Sequence, residues 1–204
     1  MQRIAAITLL IGSAVAWFGE SRPIIAEVYG GAPNPQQIID SDPSAWTAAM
    51  VLMVLGAFVA AIGLVLLARH LQSLTDDQNA RRASAIGAAA ALISVLCYAV
   101  VRYYNITLPW ETSGPLEVPL DVAFFALWQI GLILIAYALL RTGYPNWLGW
   151  PVIALAALML AGSLVAGGLP PALYYFAVLF MGIALLFVRE PQPAAAPQME
   201  GAGA

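Results

Sequence analysis

Lysine is absent from this 204-residue chain, and cysteine and histidine occur once each, as Cys97 and His70. Without lysine, Schiff-base chemistry and a P-loop phosphate grip are excluded. A single cysteine permits no disulfide within the chain. Zinc sites draw three or four ligands from Cys, His and carboxylates, and a bis-histidine haem needs a second histidine. The expectation is therefore no metal and no cofactor. Charge is scarce too, at 9% of residues, where soluble domains carry roughly 25%. Such a chain cannot cover a water-facing surface. With a net charge of −3 and no basic cluster, nucleic acid is not an expected partner.

Apolar residues make up 62% of the sequence, and the mean hydropathy is +0.84. Six apolar segments read as membrane spans: 4–18, 46–68, 84–104, 118–140, 150–165 and 171–188. The middle three have about the twenty residues that a ~30 Å hydrocarbon core requires. The other three are shorter, which implies local thinning or shelter against neighbouring helices. The first has a second reading. Met1-Gln2-Arg3, then IAAITLLIG, then SAVA resembles the three regions of a secretory signal peptide. The expected fold is all-α: a polytopic transmembrane bundle of six helices, or five if the first is cleaved. It should occupy residues 1–188, with residues 189–204 a disordered low-complexity tail.

Boundary residues support this division. Asp42-Pro43 reads as an N-cap followed by proline at the first helical position, and Thr75-Asp76-Asp77-Gln78 has capping-box spacing. Residues 167–171, GGLPP, read as a tight turn, and residues 19–45 as the longest loop. Trp17, Trp46, Trp110, Trp147 and Trp150 fall near span ends, where aromatic belts sit, whereas Trp128 lies mid-span. With the N-terminus inside, Arg3, Arg69, Arg81, Arg82, Arg141 and Arg189 are cytoplasmic and only Arg22 and Arg102 face outward. That asymmetry follows the positive-inside rule. It places both termini in the cytoplasm of a cell-membrane protein. His70 reads as a solvated interface residue on the same side.

Polar residues inside the spans are few. Ser94, Tyr98 and Arg102 recur every four residues, drifting by ~80° around a helix. In the following span Asp121 and Trp128 share a face, and Gln129 is turned by ~80° from Asp121. Ionisable residues within spans are costly and face a bundle interior or a watery cavity. Arg102, Asp121, Tyr98, Trp128 and Gln129 are therefore the candidate ligand or ion-pair residues. Arg102 could instead snorkel to the headgroups, and Asp121 could be held by its helix N-terminus. Small residues at helix-packing spacing (Gly12 with Ala16, Gly56 with Ala60 and Gly63, Gly87 with Ala91) predict close packing within the bundle. Asn105-Ile106-Thr107 matches a glycosylation acceptor by chance spacing.

Residues 137–160, YALLRTGYPNWLGWPVIALAALML, resemble a passage in small multi-pass bacterial membrane proteins grouped only as a domain of unknown function. There an arginine ends one span and a Pro-x-Trp-Leu stretch opens the next, here Arg141, Pro145, Trp147 and Leu148. The resemblance implies a membrane-embedded helical fold and no particular activity. From the residues, the leading expectation is a non-enzymatic protein, an accessory subunit or a binder of a lipid-like ligand. Its partners would be the lipid bilayer and other membrane subunits. A small transporter, with an outward cavity between the third and fourth spans, is the alternative. A membrane enzyme using outer-edge carboxylates such as Glu20, Glu27 and Asp121 is the third.

Overall fold

The computed structural model describes residues 1–29, 35–109, 114, 116–166 and 171–191, all as helices and their connections. Helix α1 runs Gln2–Tyr29, α2 Pro35–Ser41, α3 Pro43–Leu74, α4 Gln78–Thr107 and α5 Glu117–Arg141. Helix α6 covers Asn146–Ala166, and a 3₁₀ turn, Pro171–Tyr174, leads into α7, Tyr175–Phe187. Five of these (α1, α3, α4, α5 and α6) are long and apolar enough to cross a membrane. The chain is a helical bundle with membrane-embedded dimensions.

The helices overrun the expected spans because the capping residues lie outside the apolar runs. Asp42 caps α3, its carboxylate accepting the Ala45 amide at 2.9 Å, with Pro43 at the first helical position. Helix α3 then continues for 32 residues, about 48 Å at 1.5 Å per residue. That exceeds the ~30 Å hydrocarbon thickness, an excess that tilt or ends in the headgroup regions would take up. At the α3–α4 turn the cap is Asp77, which accepts the Asn79 amide. The spacing had favoured Thr75, but its hydroxyl instead accepts the Asp77 amide and closes the turn. The expected long loop over residues 19–45 is also corrected: α1 extends to Tyr29, α2 occupies Pro35–Ser41 and α3 begins at Pro43. The last segment differs as well. It is a 3₁₀ turn followed by a 13-residue helix, about 20 Å long, too short to cross by itself. The expected turn over residues 167–170 lies outside the described residues, as does most of the tail.

Six helices form a ring. Helix α1 packs against α3 and α7, α3 against α4, α4 against α5, and α5 against α6, while α6 touches α7 and closes the circle. Small residues set the tightest contacts. A Cβ on Gly12 would intrude on the backbone of Gly56 and Ala60, and one on Gly56 would intrude on Gly12 and Ala16. Across α4 and α5, a Cβ on either Gly87 or Gly131 would lie 2.8 Å from the other's carbonyl oxygen. Without a hydrophobic drive between helices in lipid, such backbone approach supplies the association energy. The expected small-residue stripes are thus internal seams. Large apolar side chains such as Ile4, Leu55, Ile86, Ile93, Val122 and Leu158 point outward, as a lipid-facing surface requires.

The two ends of the ring differ. At the end holding the chain's start, Gln2 Nε2 donates to the carbonyls of Leu185 (2.6 Å) and Val188 (2.8 Å), capping the end of α7. The Tyr144 hydroxyl donates to Gln2 Oε1 at 2.9 Å and lies 3.1 Å from His70 Nε2, which is also 3.4 Å from Glu190 Oε1. His70 is 2% exposed, so the expectation of a solvated interface residue is overturned. Burial beside Glu190 pushes the Tyr144 phenol above its ordinary range, so it stays a donor. Glu190 is the second residue of the segment expected to be disordered, and its half-exposed carboxylate approaches His70 at 3.4 Å. Nearby, Arg141 Nε and Nη2 both reach Asp77 Oδ2 at 2.9 Å, and that guanidinium holds the Asp77 carboxyl below its usual range.

Candidate functional site

The opposite end gathers most of the candidate residues. Helices α4 and α5 are consecutive and antiparallel, so the last turns of α4 meet the first turns of α5. Arg102 Nη2 stands 3.9 Å from Asp121 Oδ1, a long ion pair. The arginine has nearer partners. Its Nη1 donates to Asn105 Oδ1 at 2.8 Å, and its guanidinium lies 4.6 Å from the centroid of the Tyr98 ring. Arg102 therefore folds back into the bundle rather than snorkelling outward.

Asn105 is the residue that sequence reasoning missed. It is buried, and its Nδ2 donates to Glu117 Oε1 at 2.8 Å while its carbonyl accepts the Trp46 indole at 2.9 Å. Glu117 Oε2 in turn accepts the Gly114 amide at 3.0 Å. One side chain thereby ties the arginine to the start of α5, and its main chain ties α4 to the start of α3. Its spacing of three from Arg102, which puts both on one helical face, was the available signal. Trp46, expected in an interfacial belt, is likewise inside the bundle, whereas Trp17, Trp147 and Trp150 are exposed as expected. Trp110 lies outside the described residues.

Beneath the arginine is an aromatic column. Tyr98 stacks on Phe124 at 4.2 Å between centroids, and Phe124 is followed by Trp128 at 6.2 Å. Trp128 meets the edge of Tyr175 on α7 at 5.8 Å, and Phe125 stacks on Tyr174 at 4.4 Å. Tyr98, Phe124, Trp128 and Tyr175 are all buried. Helix α1 adds Glu20, only 4% exposed and within electrostatic range of Tyr98, Arg102 and Tyr175.

This core holds more polar capacity than it uses. The Trp128 indole nitrogen, both amide atoms of Gln129, and the Tyr175 hydroxyl are buried with no hydrogen-bond partner among the described residues. Leaving such a group unsatisfied costs about 1–3 kcal/mol, and native interiors pair nearly all of them. Arg102, Asp121, Tyr98 and Trp128 are thus brought into one region linking α4, α5 and α7. Gln129, next to Trp128 in α5, is equally buried.

The carboxylates with described contacts at this end are engaged by the chain itself. Glu117 is committed to Asn105 and Gly114, and Asp121 faces Arg102. The side chain of Glu27 lies outside the described residues. Among the described residues no cluster of His, Cys, Asp and Glu could hold a metal ion. The passage around Arg141 is structural in its local role: Arg141 ends α5 on Asp77, Leu148 is buried and its amide donates to the Pro145 carbonyl at 2.9 Å, and Trp147 is exposed. Comparison of the chain with protein-family models, with curated proteins and with solved structures finds no match.

Proposed function

We propose that this chain is a non-enzymatic integral protein of the cell membrane that binds a lipid-like ligand by its polar headgroup, in the interior between α4, α5 and α7. The observation that carries the reading is the set of buried, unpartnered polar atoms on Trp128, Gln129 and Tyr175, beside an aromatic column capped by Arg102. Ligand pockets pair apolar and aromatic walls with a few polar groups that fix orientation. Indole N–H, amide and phenol groups would do that here. The aromatic rings would pack the apolar part. Small multi-pass bacterial proteins sharing the Arg141, Pro145, Trp147 and Leu148 pattern would be relatives with the same role. Another membrane subunit remains a candidate partner at the lipid-facing surface.

In the proposed orientation the end carrying Arg3, Arg69, Arg81, Arg82, Arg141 and Arg189 is cytoplasmic, on the strength of the positive-inside rule. Single cysteines at Asn79 and Thr107, both exposed and at opposite ends of α4, test it in a Cys97→Ser background. An impermeant reagent on intact cells should label Thr107→Cys and leave Asn79→Cys unmodified.

The ligand reading is tested with Gln129→Leu and Tyr175→Phe. Each removes unsatisfied polar atoms while keeping most of the volume. Both variants should melt at or above the wild-type temperature once delipidated. Both should lose the lipid-like species that accompanies the wild type in native mass spectrometry. Variants that are less stable without ligand would show that these groups carry structural bonds, against the proposal. A substrate-driven flux in vesicles would favour the transporter reading instead.

A further inference from the structure

A second site is built at the other end of the bundle, in the crook of the α3–α4 hairpin. A groove of about 630 Å³ is lined by Gln72 and Asp76 on one side and by Gln78, Arg81, Arg82 and Ala85 on the other. Its floor is braced: Gln72 Nε2 reaches the Arg81 carbonyl at 3.4 Å and the Ser84 hydroxyl at 3.2 Å. Two guanidinium groups face one carboxylate here. Arg81 and Arg82 are exposed and form no ion pair among the described residues. The other acid of the turn, Asp77, is taken up by Arg141. The groove thus carries a net positive charge that the chain does not neutralise.

What lies next to the groove tells what would fill it. Arg82 heads an outward-facing stripe of α4 that continues through Ile86, Ile93, Leu96 and Val100, all exposed and spaced at three, four or seven residues. A ligand with an anionic head in the groove would lay an apolar tail along that stripe. Basic pockets between transmembrane helices at the membrane surface bind phosphate-bearing headgroups, and guanidinium groups match phosphate oxygens in geometry as well as charge.

We propose that the α3–α4 groove is a binding site for an anionic phospholipid, its phosphate held by Arg81 and Arg82 and its acyl chain lying on the Ile86–Val100 face. The site is separate from the interior between α4, α5 and α7 and stands whether or not that interior binds a ligand. Phosphatidylglycerol is the probe. Added to the delipidated full chain in micelles, it should raise the melting temperature by several degrees, and phosphatidylcholine should not. The Arg81→Gln/Arg82→Gln variant should melt within about 1 °C of wild type without added lipid, since both side chains are exposed. It should need roughly thirty-fold more phosphatidylglycerol for the same shift, about five-fold per arginine. Arg82→Gln alone, expected to weaken binding about five-fold, serves if the double variant does not fold. An equal response of wild type and variant would overturn the proposal, as would equal shifts from phosphatidylcholine. A matching shift from inorganic phosphate would also overturn it, by showing an anion site with no use for the tail.

Discussion

Removing the Arg102 side chain tests which contact holds it. The arginine makes three: a 2.8 Å hydrogen bond to Asn105, a 4.6 Å approach to the Tyr98 ring, and a 3.9 Å ion pair with Asp121. A hydrogen bond from a charged donor contributes about 1.5–3 kcal/mol. A partly desolvated cation–π contact adds about 1 kcal/mol. The ion pair is long, and the Asp121 side chain is 34% exposed, so it belongs with pairs worth ~0–1 kcal/mol. Arg102→Ala should therefore cost about 3–4 kcal/mol and Asp121→Ala about 1 kcal/mol or less. In a double-mutant cycle the coupling between them should stay below ~1 kcal/mol. Arg102 with Asn105 should couple more strongly. At about 2–4 °C per kcal/mol for a chain of this size, tryptophan fluorescence melts in detergent resolve the difference. The reasoning is refuted if Asp121→Ala is as costly as Arg102→Ala with coupling above ~2 kcal/mol. Strict additivity of Arg102 with Asn105 would refute it equally.

Other outcomes follow from the packing. Gly56→Val should prevent the α1–α3 approach and abolish the folded protein in a detergent size-exclusion profile, whereas Gly143→Ala, at a positive φ but with its nearest neighbour 3.5 Å away, should be milder. Tyr144→Phe removes the hydroxyl shared by Gln2 and His70 and should cost about 1–2 kcal/mol in thermal melts. Truncation after Pro191 should leave the melting temperature unchanged. Truncation after Phe187 should lower it by several degrees, because it removes the Val188 carbonyl that Gln2 binds and the carboxylate that His70 meets.

The sequence by itself determined the class of object. Its apolar fraction and the lengths of its apolar runs require helices in a membrane, because only there does so uncharged a surface meet a suitable solvent. Local signals that act over a few residues were legible too: the Asp42-Pro43 start of α3 and the glycine spacings of α1, α3 and α4. The meeting of Arg102 with Asp121 could be read because their helices are consecutive, so antiparallel packing brings their ends together. Tertiary structure decided the rest. Which of Asp76, Asp77 and Thr75 capped α4 depended on where α3 ended. His70 looked solvated because its partners, Tyr144 and Glu190, lie 74 and 120 positions away in the chain. Asn105 was passed over because its role comes from the start of α5, where Glu117 accepts from its amide. Tyr175 and Glu20 join Trp128 and Arg102 only because α7 and α1 close the ring, and no spacing along the chain encodes that closure.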